Sequence, residues 1–382
     1  MGTTYLDGPF SPLQPESVIR SIVTTLRSTP TQPGGRSARS RRTTAAVHQA
    51  RIAFGDLVGA APEDVVLGSS RLGVQQQLID LLAADWRLGD EIVLSRLDSG
   101  EVLLPWQRAA RMSGAVVQWA EVDLETGELP AWQYDQLINA RTRLVTVPLA
   151  NPATGSLPDV SAIASLAHAH GALVLIDLGA AVPHLVIDMT ELGADLVLVN
   201  AAAFGGPTVA AMAARPGLLR EIHGGARNPD PRRFEAPLLP VELLGGAVAA
   251  VDHLAGLDEF ATGTRRERLA LSVSAVGDHT AGLWGRFVTG LFSLPHVTLL
   301  GAPGSRVPVF AFTVDGMRPE QVADALARAE ISVWSGPSDL DGLLAAFGAD
   351  ELGGVVFAGF MPHTTVGEVD QLLDALSGLA AG

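Results

Sequence analysis

Two polar positions in the sequence have the residue types and the neighbours of a binding site. Asp177 directly follows the strand-like apolar run 173–176. A carboxylate at the carboxyl end of a strand suits a functional site, and it equally suits the capping of the following turn. Ser69 and Ser70 precede an apolar helical pattern, where hydroxyl and backbone N–H groups can hold a phosphate or simply cap the helix. Both positions are candidates for ligand binding, each with a purely structural alternative.

The segment 34–42 is the one dense basic stretch in an acidic chain. It reads GGRSARSRR and contains four arginines among glycines and serines. Guanidinium groups bind phosphates and carboxylates through paired hydrogen bonds. The stretch therefore suits a phosphate, an acidic metabolite or an acidic partner, and a solvated loop without a ligand is the alternative.

Several kinds of chemistry lack their residues in this chain. Cysteine is absent, which excludes disulfides, thiolate zinc sites and thiol catalysis. His168 and His170 are two residues apart, point to different faces of a helix and make a poor metal pair, so no metal site is expected. The sequence also contains no HExxH, GxSxG, GxGxxG or Gly-Lys-Ser/Thr phosphate loop. Zinc proteolysis, ester hydrolysis, dinucleotide binding and P-loop chemistry are therefore without support.

Lysine is absent as well, and all 26 basic side chains are arginine. A GC-rich genome replaces lysine codons by arginine codons, and surface ion pairs tolerate the exchange, so scarcity alone would mean little. Complete absence of a residue that is normally common is a stronger observation. We infer that no lysine is essential to this protein.

The composition indicates a globular protein without a membrane span or a nucleic-acid surface. Apolar residues make up 47% of the 382 residues, enough at this length for one large and one smaller domain. The apolar runs are shorter than the roughly 20 residues of a membrane span. A net charge of −15 argues against binding to nucleic acid. Asp7 lies where a secretory signal would have its basic start, which favours a cytoplasmic location.

Strands that alternate with helices between about residues 45 and 214 would position the candidate residues. Such alternation predicts a mostly parallel α/β sheet, whose strands are apolar because both faces are buried. The predicted strands cover 65–68, 91–94, 116–119, 144–148, 173–177 and 196–200. The expected division of the chain is an N-terminal segment over 1–15 that packs with the small domain, a large domain over 16–257 and a small α+β domain over 258–382.

Six segments resemble the class V aminotransferase family of fold type I pyridoxal-phosphate (PLP) enzymes, closest to its cysteine desulfurase-like proteins. They lie in order along nearly the whole chain, at 6–15 (LDGPFSPLQP), 50–68, 89–98, 141–160, 166–200 and 366–376. The resemblance implies a large domain with a mostly parallel seven-stranded sheet, followed by a smaller α+β domain. It also implies a dimer, since the family builds its active sites across a subunit interface.

The resemblance places Ala203 where the family has the lysine that forms a Schiff base with PLP. That lysine follows the strand that ends at Asn200, and the segment 199–207 reads VNAAAFGGP here. An alanine has no amine, and no neighbour in a lysine-free chain can take over the role. On this basis PLP-dependent catalysis is expected to be lost, and no cofactor is expected.

Other positions that the family uses have also changed. By the resemblance, Ser99 stands where a histidine stacks on the cofactor ring, and Ala180 stands where a side chain donates to the ring oxygen. Pro237 and Leu238 replace a Gly-Thr pair that reaches the phosphate across the dimer. Phe357 replaces the arginine that holds the substrate carboxylate, and a phenylalanine offers no guanidinium fork.

The cofactor-binding positions that persist are Asp177, Asn151, Ser69 and Ser70. The resemblance implies that Asp177 pairs with the pyridinium nitrogen, Asn151 with the ring oxygen, and the two serines with the phosphate. Asn151 precedes a proline and also suits a turn. Arg41 resembles a residue near the mouth of the family's active site and is the candidate for binding a substrate or other ligand.

These losses predict a catalytically degenerate relative of the cysteine desulfurases with a scaffold, regulatory or ligand-binding role. It would be retained as a homodimer or as the inactive partner of a competent relative. The alternative is an enzyme that binds PLP, pyridoxamine phosphate or another phosphorylated ligand non-covalently, although Phe204 offers no base for proton transfer. A pure scaffold would fill the old cleft with Ala203, Phe204 and Phe357, whereas an open pocket lined by Asp177 and arginines would favour a ligand.

Overall fold

The structure, a computed structural model, describes residues 3–28, 30–222, 239–301, 304–336, 341–349, 351 and 353–381. Its β-strands within these ranges are β1 (Thr4–Tyr5), β2 (Val65–Gly68), β3 (Glu91–Ser95), β4 (Val116–Ala120), β5 (Thr142–Pro148), β6 (Leu173–Asp177), β7 (Leu196–Asn200), β8 (Ala210–Ala214), β9 (Val297–Leu299), β10 (Val309–Val314), β11 (Ile331–Ser332), β12 (Trp334–Gly336) and β13 (Val355–Gly359). The helices are α1 (Glu16–Arg27), α2 (Ala38–Val58), α3 (Arg71–Ala83), α4 (Gly100–Ser113), α5 (Tyr134–Leu137), α6 (Val160–Ala169), α7 (Leu218–Ile222), α8 (Val241–Leu254), α9 (Arg265–Leu291), α10 (Pro319–Arg328), α11 (Asp341–Ala346) and α12 (Val366–Ser377).

The large sheet has seven strands in the described chain, in the order β2-β8-β7-β6-β5-β3-β4. Strand β8 is antiparallel to both of its neighbours, and the remaining pairs are parallel. The strands are buried on both faces. In β3, for example, Val93 packs in one apolar cluster while Ile92 and Leu94 pack in another, as the two-residue period of a strand requires. The predicted α/β fold with a mostly parallel seven-stranded sheet is confirmed.

A second, antiparallel sheet of four strands follows in the order β12-β13-β10-β9. Its apolar face packs with α9, α10 and α12 around an aromatic group in which the ring centroids of Phe287 and Phe310 are 4.6 Å apart. The N-terminal strand β1 pairs with β11 in parallel, with Thr4 opposite Ile331. The start of the chain therefore lies beside the smaller α+β region, while the division of the chain at residues 257 and 258 stays a prediction.

Part of the basic stretch 34–42 is helical and not loop. Helix α2 begins at Ala38, because the side chain of Ser37 accepts a hydrogen bond from the backbone N–H of Ser40 at 3.1 Å. The N-cap residue Ser37 therefore lies within the basic stretch 34–42. Elsewhere, helix α6 ends at Ala169, and Gly171 just beyond it has a φ of +77°, a conformation that glycine adopts easily. No helix among the described residues is long and apolar enough to cross a membrane.

Candidate functional site

A cavity of about 850 Å³ opens at the carboxyl ends of β5, β6 and β7. Its floor includes Pro148, Asp177 and Asn200, the last residues of these three strands. The N-terminal segment and strand β12 supply Phe10 and Trp334 to its wall. In an open parallel sheet the carboxyl ends of the strands are the usual place for a ligand. The cavity therefore lies where the fold favours a binding site.

The Asp177 carboxylate is held by two hydrogen bonds in this cavity. Its Oδ1 accepts from the backbone N–H of Gly179 at 2.8 Å, and its Oδ2 accepts from Nη1 of Arg71 at 3.0 Å. The other terminal nitrogen of Arg71 donates to Oε2 of Glu101, also at 3.0 Å. The nearby carboxylate of Asp177 is the main cause of a raised pKa at Arg71, so this guanidinium stays charged. One cation thus bridges two anions at the cavity wall.

Asp98 adds a buried carboxyl group to the same cavity. Its Oδ2 atom is enclosed and has no hydrogen-bond partner among the residues that the structure describes. Burial raises the pKa of Asp98 well above its ordinary value, the charge of Asp177 raises it further, and Arg71 opposes both effects. The protonated form of Asp98, which can donate a hydrogen bond, therefore persists to a higher pH than it would in an exposed aspartate.

Ser99 is the N-cap residue of α4, but its side chain makes no capping hydrogen bond within the described chain. Its enclosed Oγ has no partner among the described residues, and the residue lines the cavity. The structure thus brings an unused hydroxyl to the position at which the resemblance expected a stacking histidine. Orphaned polar atoms of this kind are rare in folded proteins and commonly have a functional explanation.

The two predicted phosphate-binding serines differ in position. Ser70 lines the cavity, and its Oγ accepts from the backbone N–H of Gly73 at 3.1 Å as the N-cap of α3. Ser69 is exposed and does not line the described cavity wall. Ser70 therefore caps helix α3. Phosphate binding by either serine stays a prediction.

Asn151 is fully buried and lies behind the cavity wall. Its Oδ1 accepts from the backbone N–H groups of Ala153 and Thr154, and its Nδ2 donates to the carbonyl oxygen of Leu97. Its neighbours Ala150 and Pro152 line the cavity, but Asn151 itself does not. The side chain stabilises the turn that the following proline suggested, and its contact with a cofactor stays a prediction.

Arg41 lies outside the described cavity wall. It is exposed on α2, and its side chain donates to the backbone carbonyl of Arg36. Its role in ligand binding stays a prediction that the geometry of a single chain does not favour. The predicted change from Gly-Thr to Pro237 and Leu238 lies outside the described residues.

Ala203 lines the cavity from a short 3₁₀ turn over Ala201–Phe204. Phe204 is buried in the core and does not line the described cavity, and Phe357 is fully buried beneath Phe10 and Trp334. These residues therefore do not fill the cleft. The cleft is open, as the ligand-binding hypothesis requires, whereas a pure scaffold was expected to have a filled cleft.

Sequence reasoning missed Arg71, Asp98 and Glu101. Arg71 directly follows the two serines, and the segment 97–106 that contains the two acidic residues was considered only for its missing histidine. A signal was available, because these three charged residues lie in the segments that follow the predicted strands 65–68 and 91–94. Their mutual contacts were not predictable from spacing, since Arg71 and Asp177 are 106 residues apart.

The architecture, with its site at the strand ends, defines a fold type I transferase-like protein, and comparisons with known proteins give its family. The sequence model of the family described as aminotransferase class-V matches residues 4–372. The chain belongs to this family. An uncharacterized protein of Mycobacterium tuberculosis is 38% identical over 99% of this chain and 96% of its own length.

A probable cysteine desulfurase of Mycolicibacterium paratuberculosis is 28% identical over 89% of this chain, which spans about half (50%) of that relative's length. Among solved structures, the apo form of a cysteine desulfurase from Thermococcus onnurineus superposes with a TM-score of 0.85 at 22% identity. That match covers 99% of this chain and 94% of the other. The cysteine desulfurase CsdA of Escherichia coli gives 0.84 with the same identity and coverage. The resemblance to a cysteine desulfurase-like member of the family is confirmed.

The expectation that the chain takes no cofactor is wrong in view of these relatives. The family and its structural neighbours are PLP-dependent, which points to PLP binding. The inference failed because it equated the missing Schiff-base lysine with a missing cofactor, although other contacts also hold PLP. The polar atoms of the cleft fit such contacts, with Asp177 at a strand end and with polar atoms on Asp98 and Ser99 that have no partner in the described part of the chain.

Proposed function

We propose that this chain binds PLP or pyridoxamine phosphate in the cleft by non-covalent contacts. Asp177 carries the proposal, because its carboxylate lies in an open cavity of about 850 Å³ with acceptor capacity to spare. Each carboxylate oxygen has about two acceptor sites, and Arg71 and Gly179 each occupy one. A protonated ring nitrogen can therefore add a hydrogen bond to Asp177 without displacing either donor.

The residues around Asp177 would hold the rest of the cofactor. Ser70 lines the cavity at the start of α3, where a helix N-terminus suits a phosphate group. Asn200 and Thr208 line the same wall and add polar groups. Bound PLP supplies an electron sink for chemistry at an amino-substituted carbon. The carboxylate of Asp177 would hold a proton on the ring nitrogen, which this function of the cofactor requires.

We also propose that the chain is degenerate for the lysine-dependent chemistry of its family. Ala203, which the resemblance assigns to the position of the family's lysine, lines the cavity, and the sequence offers no lysine amine elsewhere. Transaldimination and proton transfer through such an amine are therefore closed to this chain. A ligand-binding or regulatory role, or an enzyme that uses the cofactor without a lysine, remains compatible with this site.

Calorimetric titration of the purified protein with PLP and with pyridoxamine phosphate tests the binding proposal. We expect one equivalent to bind, to be removable by dialysis, and to leave no covalent mass on the chain after borohydride treatment. Asp177→Asn should weaken the affinity about tenfold or more, because a hydrogen bond to a charged acceptor is lost. Asp135→Asn, an exposed aspartate on α5, is the matched control and should bind as the unmodified protein does. Equal affinity in Asp177→Asn, or no binding at all, would contradict the proposal.

We further propose that the protein is a homodimer. The family assembles its sites between subunits, and helix α1 exposes Ile19, Val23 and Leu26 by 44%, 37% and 51%. These residues are spaced four and three apart and form one apolar stripe, which a second copy would cover. Light scattering after size exclusion should give the dimer mass, and Ile19→Glu should shift it toward the monomer. Leu88→Glu, at a side chain that is 89% exposed elsewhere, should have no effect. A monomeric protein would point to the heteromeric alternative.

A further inference from the structure

Three aromatic rings form one wall of the cavity. The rings of Phe10 and Trp334 are stacked, with centroids 5.6 Å apart and planes inclined by 23°. Phe357 packs against both, edge-on to Phe10 at 5.0 Å and tilted against Trp334 at 5.3 Å. Phe357 is fully buried, whereas Phe10 is 39% exposed and lines the cavity together with Trp334. The wall therefore presents aromatic surface to a molecule that occupies the cavity.

The fold holds these rings in place before any ligand binds. Trp334 on β12 lies opposite Phe357 on β13 in the antiparallel register. The segment that carries Phe10 is joined to the same region, because the backbone N–H of Leu6 donates to the carbonyl oxygen of Ser332 at 2.9 Å. Ring surface that is already ordered costs little entropy when a ligand packs on it.

The cavity has room for a group on these rings in addition to the cofactor. Pockets for drug-sized ligands have volumes of about 300–1,000 Å³, and this cavity of about 850 Å³ lies near the upper end of that range. Small residues follow the two strand ends at its floor, with Gly179 and Ala180 after Asp177 and with Ala202 after Asn200. Volume is therefore left beside the proposed cofactor site, and the aromatic wall borders the same cavity.

The chemistry of the wall decides which kind of group would use this volume. Ring faces offer dispersion and hydrophobic contact, and a further aromatic ring also gains from offset or edge-to-face packing. An amide or hydroxyl group placed against the same rings would lose hydrogen bonds to water without replacement. The wall thus favours an aromatic group over a polar group of similar size.

We propose that the cavity binds, beside the cofactor, a ligand whose aromatic ring packs on Phe10 and Trp334. The inference rests on the proposed function, because the molecule that carries the ring is the one that meets the cofactor. The preference concerns the side group of that molecule and is independent of its charge. Phe10 and Trp334 are accordingly the residues that determine this specificity.

The test uses stable phosphopyridoxyl conjugates, in which a single C–N bond joins the cofactor to the nitrogen of an amino acid. The conjugates of phenylalanine, glutamine and alanine have the same charge and differ only in the side group. Each is titrated calorimetrically into the full chain, as is pyridoxamine phosphate alone. We expect the phenylalanine conjugate to bind about tenfold or more tightly than the other two, because only its ring removes aromatic surface from water. The glutamine conjugate separates this contact from a simple increase in size.

Two variants locate the ring on the wall. Trp334→Ala and Phe10→Ala should each lower the preference for the phenylalanine over the alanine conjugate by about fivefold, whereas a merely structural role would weaken all three conjugates equally. Trp132→Ala, at a tryptophan that is 68% exposed and lies outside the described wall of this cavity, is the matched control and should leave the preference unchanged. Thermal melting establishes that each variant is folded, and Phe10→Ala, at the partly exposed ring, keeps the test valid if Trp334→Ala fails to fold.

The outcomes separate this inference from the proposed function. Equal affinity for the phenylalanine conjugate and either of the other two, or a preference that the folded variants leave unchanged, would overturn the inference. If pyridoxamine phosphate still bound, the proposed function would stand.

Asp177→Asn tests the cofactor contact separately. It should weaken all three conjugates by about the same factor and leave the preference for the ring unchanged, because the two contacts are made by different parts of the ligand. A preference that depends on Trp334, with no effect of Asp177→Asn on any conjugate, would support the aromatic wall and contradict the cofactor contact. Absence of binding by every conjugate would overturn the inference, and the titration with pyridoxamine phosphate alone would then decide the proposed function.

Discussion

Arg71 and Asp177 form an ion pair of 3.0 Å that joins the start of α3 to the end of β6. Their side chains are only 21% and 12% exposed, so the pair lies mostly out of water. Arg71 also reaches Glu101 on α4, and the three residues tie together three elements around the cleft. Asp177, which was predicted from the sequence as a site residue, is therefore held by Arg71, which was not predicted.

Arg71→Gln should destabilise the protein, because it leaves Asp177 mostly buried without its counter-ion. Loss of one partner of such a pair costs about 1–3 kcal/mol of unfolding free energy at this partial burial. Urea denaturation at neutral pH measures the change. Arg286→Gln, which breaks the solvent-exposed pair with Asp370, is the control and should leave the denaturation midpoint nearly unchanged. Equal effects in the two variants would show that the Arg71 pair contributes no more than a surface contact.

Because of Asp98, the free energy of unfolding should decrease as the pH rises above the ordinary pKa of an aspartate. Its folded-state pKa is raised, mainly by burial, whereas the unfolded chain has the ordinary value near about 4. The stability that its protonated form contributes is complete below about pH 4 and is lost as the pH rises toward the folded-state pKa, by up to about 1.4 kcal/mol per pH unit. Asp98→Asn should therefore stabilise the protein at pH 7 and have little effect at pH 4.

Asp90 is the control for this test, because its contribution to the free energy of unfolding should change with pH in the opposite direction to that of Asp98. Hydrogen bonds from Arg143 and from the backbone N–H of Arg87 lower its pKa. Its contribution is present above the ordinary aspartate pKa and is lost as the pH falls, so Asp90→Asn should destabilise at pH 7 and much less at acid pH. If Asp98→Asn followed the pattern of Asp90→Asn, the raised pKa assigned to Asp98 would be wrong.

His184 should make the fold sensitive to mild acid. It is buried, its Nδ1 has no partner in the described chain, and burial lowers its pKa to about 4. The stability of its neutral form is complete above the unfolded value of about 6.5 and is lost as the pH falls toward 4, by roughly 3 kcal/mol in total. His184→Gln should flatten the stability curve between pH 6.5 and 4, as urea titrations at several pH values would show. An unchanged slope would mean that the imidazole reaches water.

The architecture was largely predictable from local signals. Apolar runs marked the strands, and the predicted ranges 144–148, 173–177 and 196–200 differ from β5, β6 and β7 by two residues at most. Strand β8 (Ala210–Ala214) was not predicted from the residues, because its alanines lack the β-branched signal of the others. The seventh strand followed only from the resemblance to a known family.

The site was predictable only in part, for a physical reason. Strand-end position identified Asp177, and helix-start chemistry identified Ser70, because both are local features of the sequence. The Arg71–Asp177 contact and the pairing of Phe10 with Trp334 join residues distant in sequence, and only packing fixes them. For Asn151 the local signal of a turn before proline was sufficient, because its side chain accepts two hydrogen bonds within that turn, whereas the ligand contact implied by the resemblance stays a prediction.

Ala203→Lys tests directly whether the rest of the cleft still suits the family's chemistry. Ala203 lines the cavity beside Ala202 and Asn200, so a lysine there can extend into the open volume. Because the chain has no other lysine, borohydride treatment with PLP should fix one equivalent of cofactor, and peptide mass spectrometry should locate it at residue 203. Arg87→Lys, at an exposed position away from the cleft, is the control and should remain largely unlabelled at low PLP. The double variant with Asp177→Asn should lose most of the labelling, since a non-covalent complex that depends on Asp177 precedes the covalent bond. Equal labelling at residues 203 and 87 would mean that the cleft does not concentrate the cofactor at all.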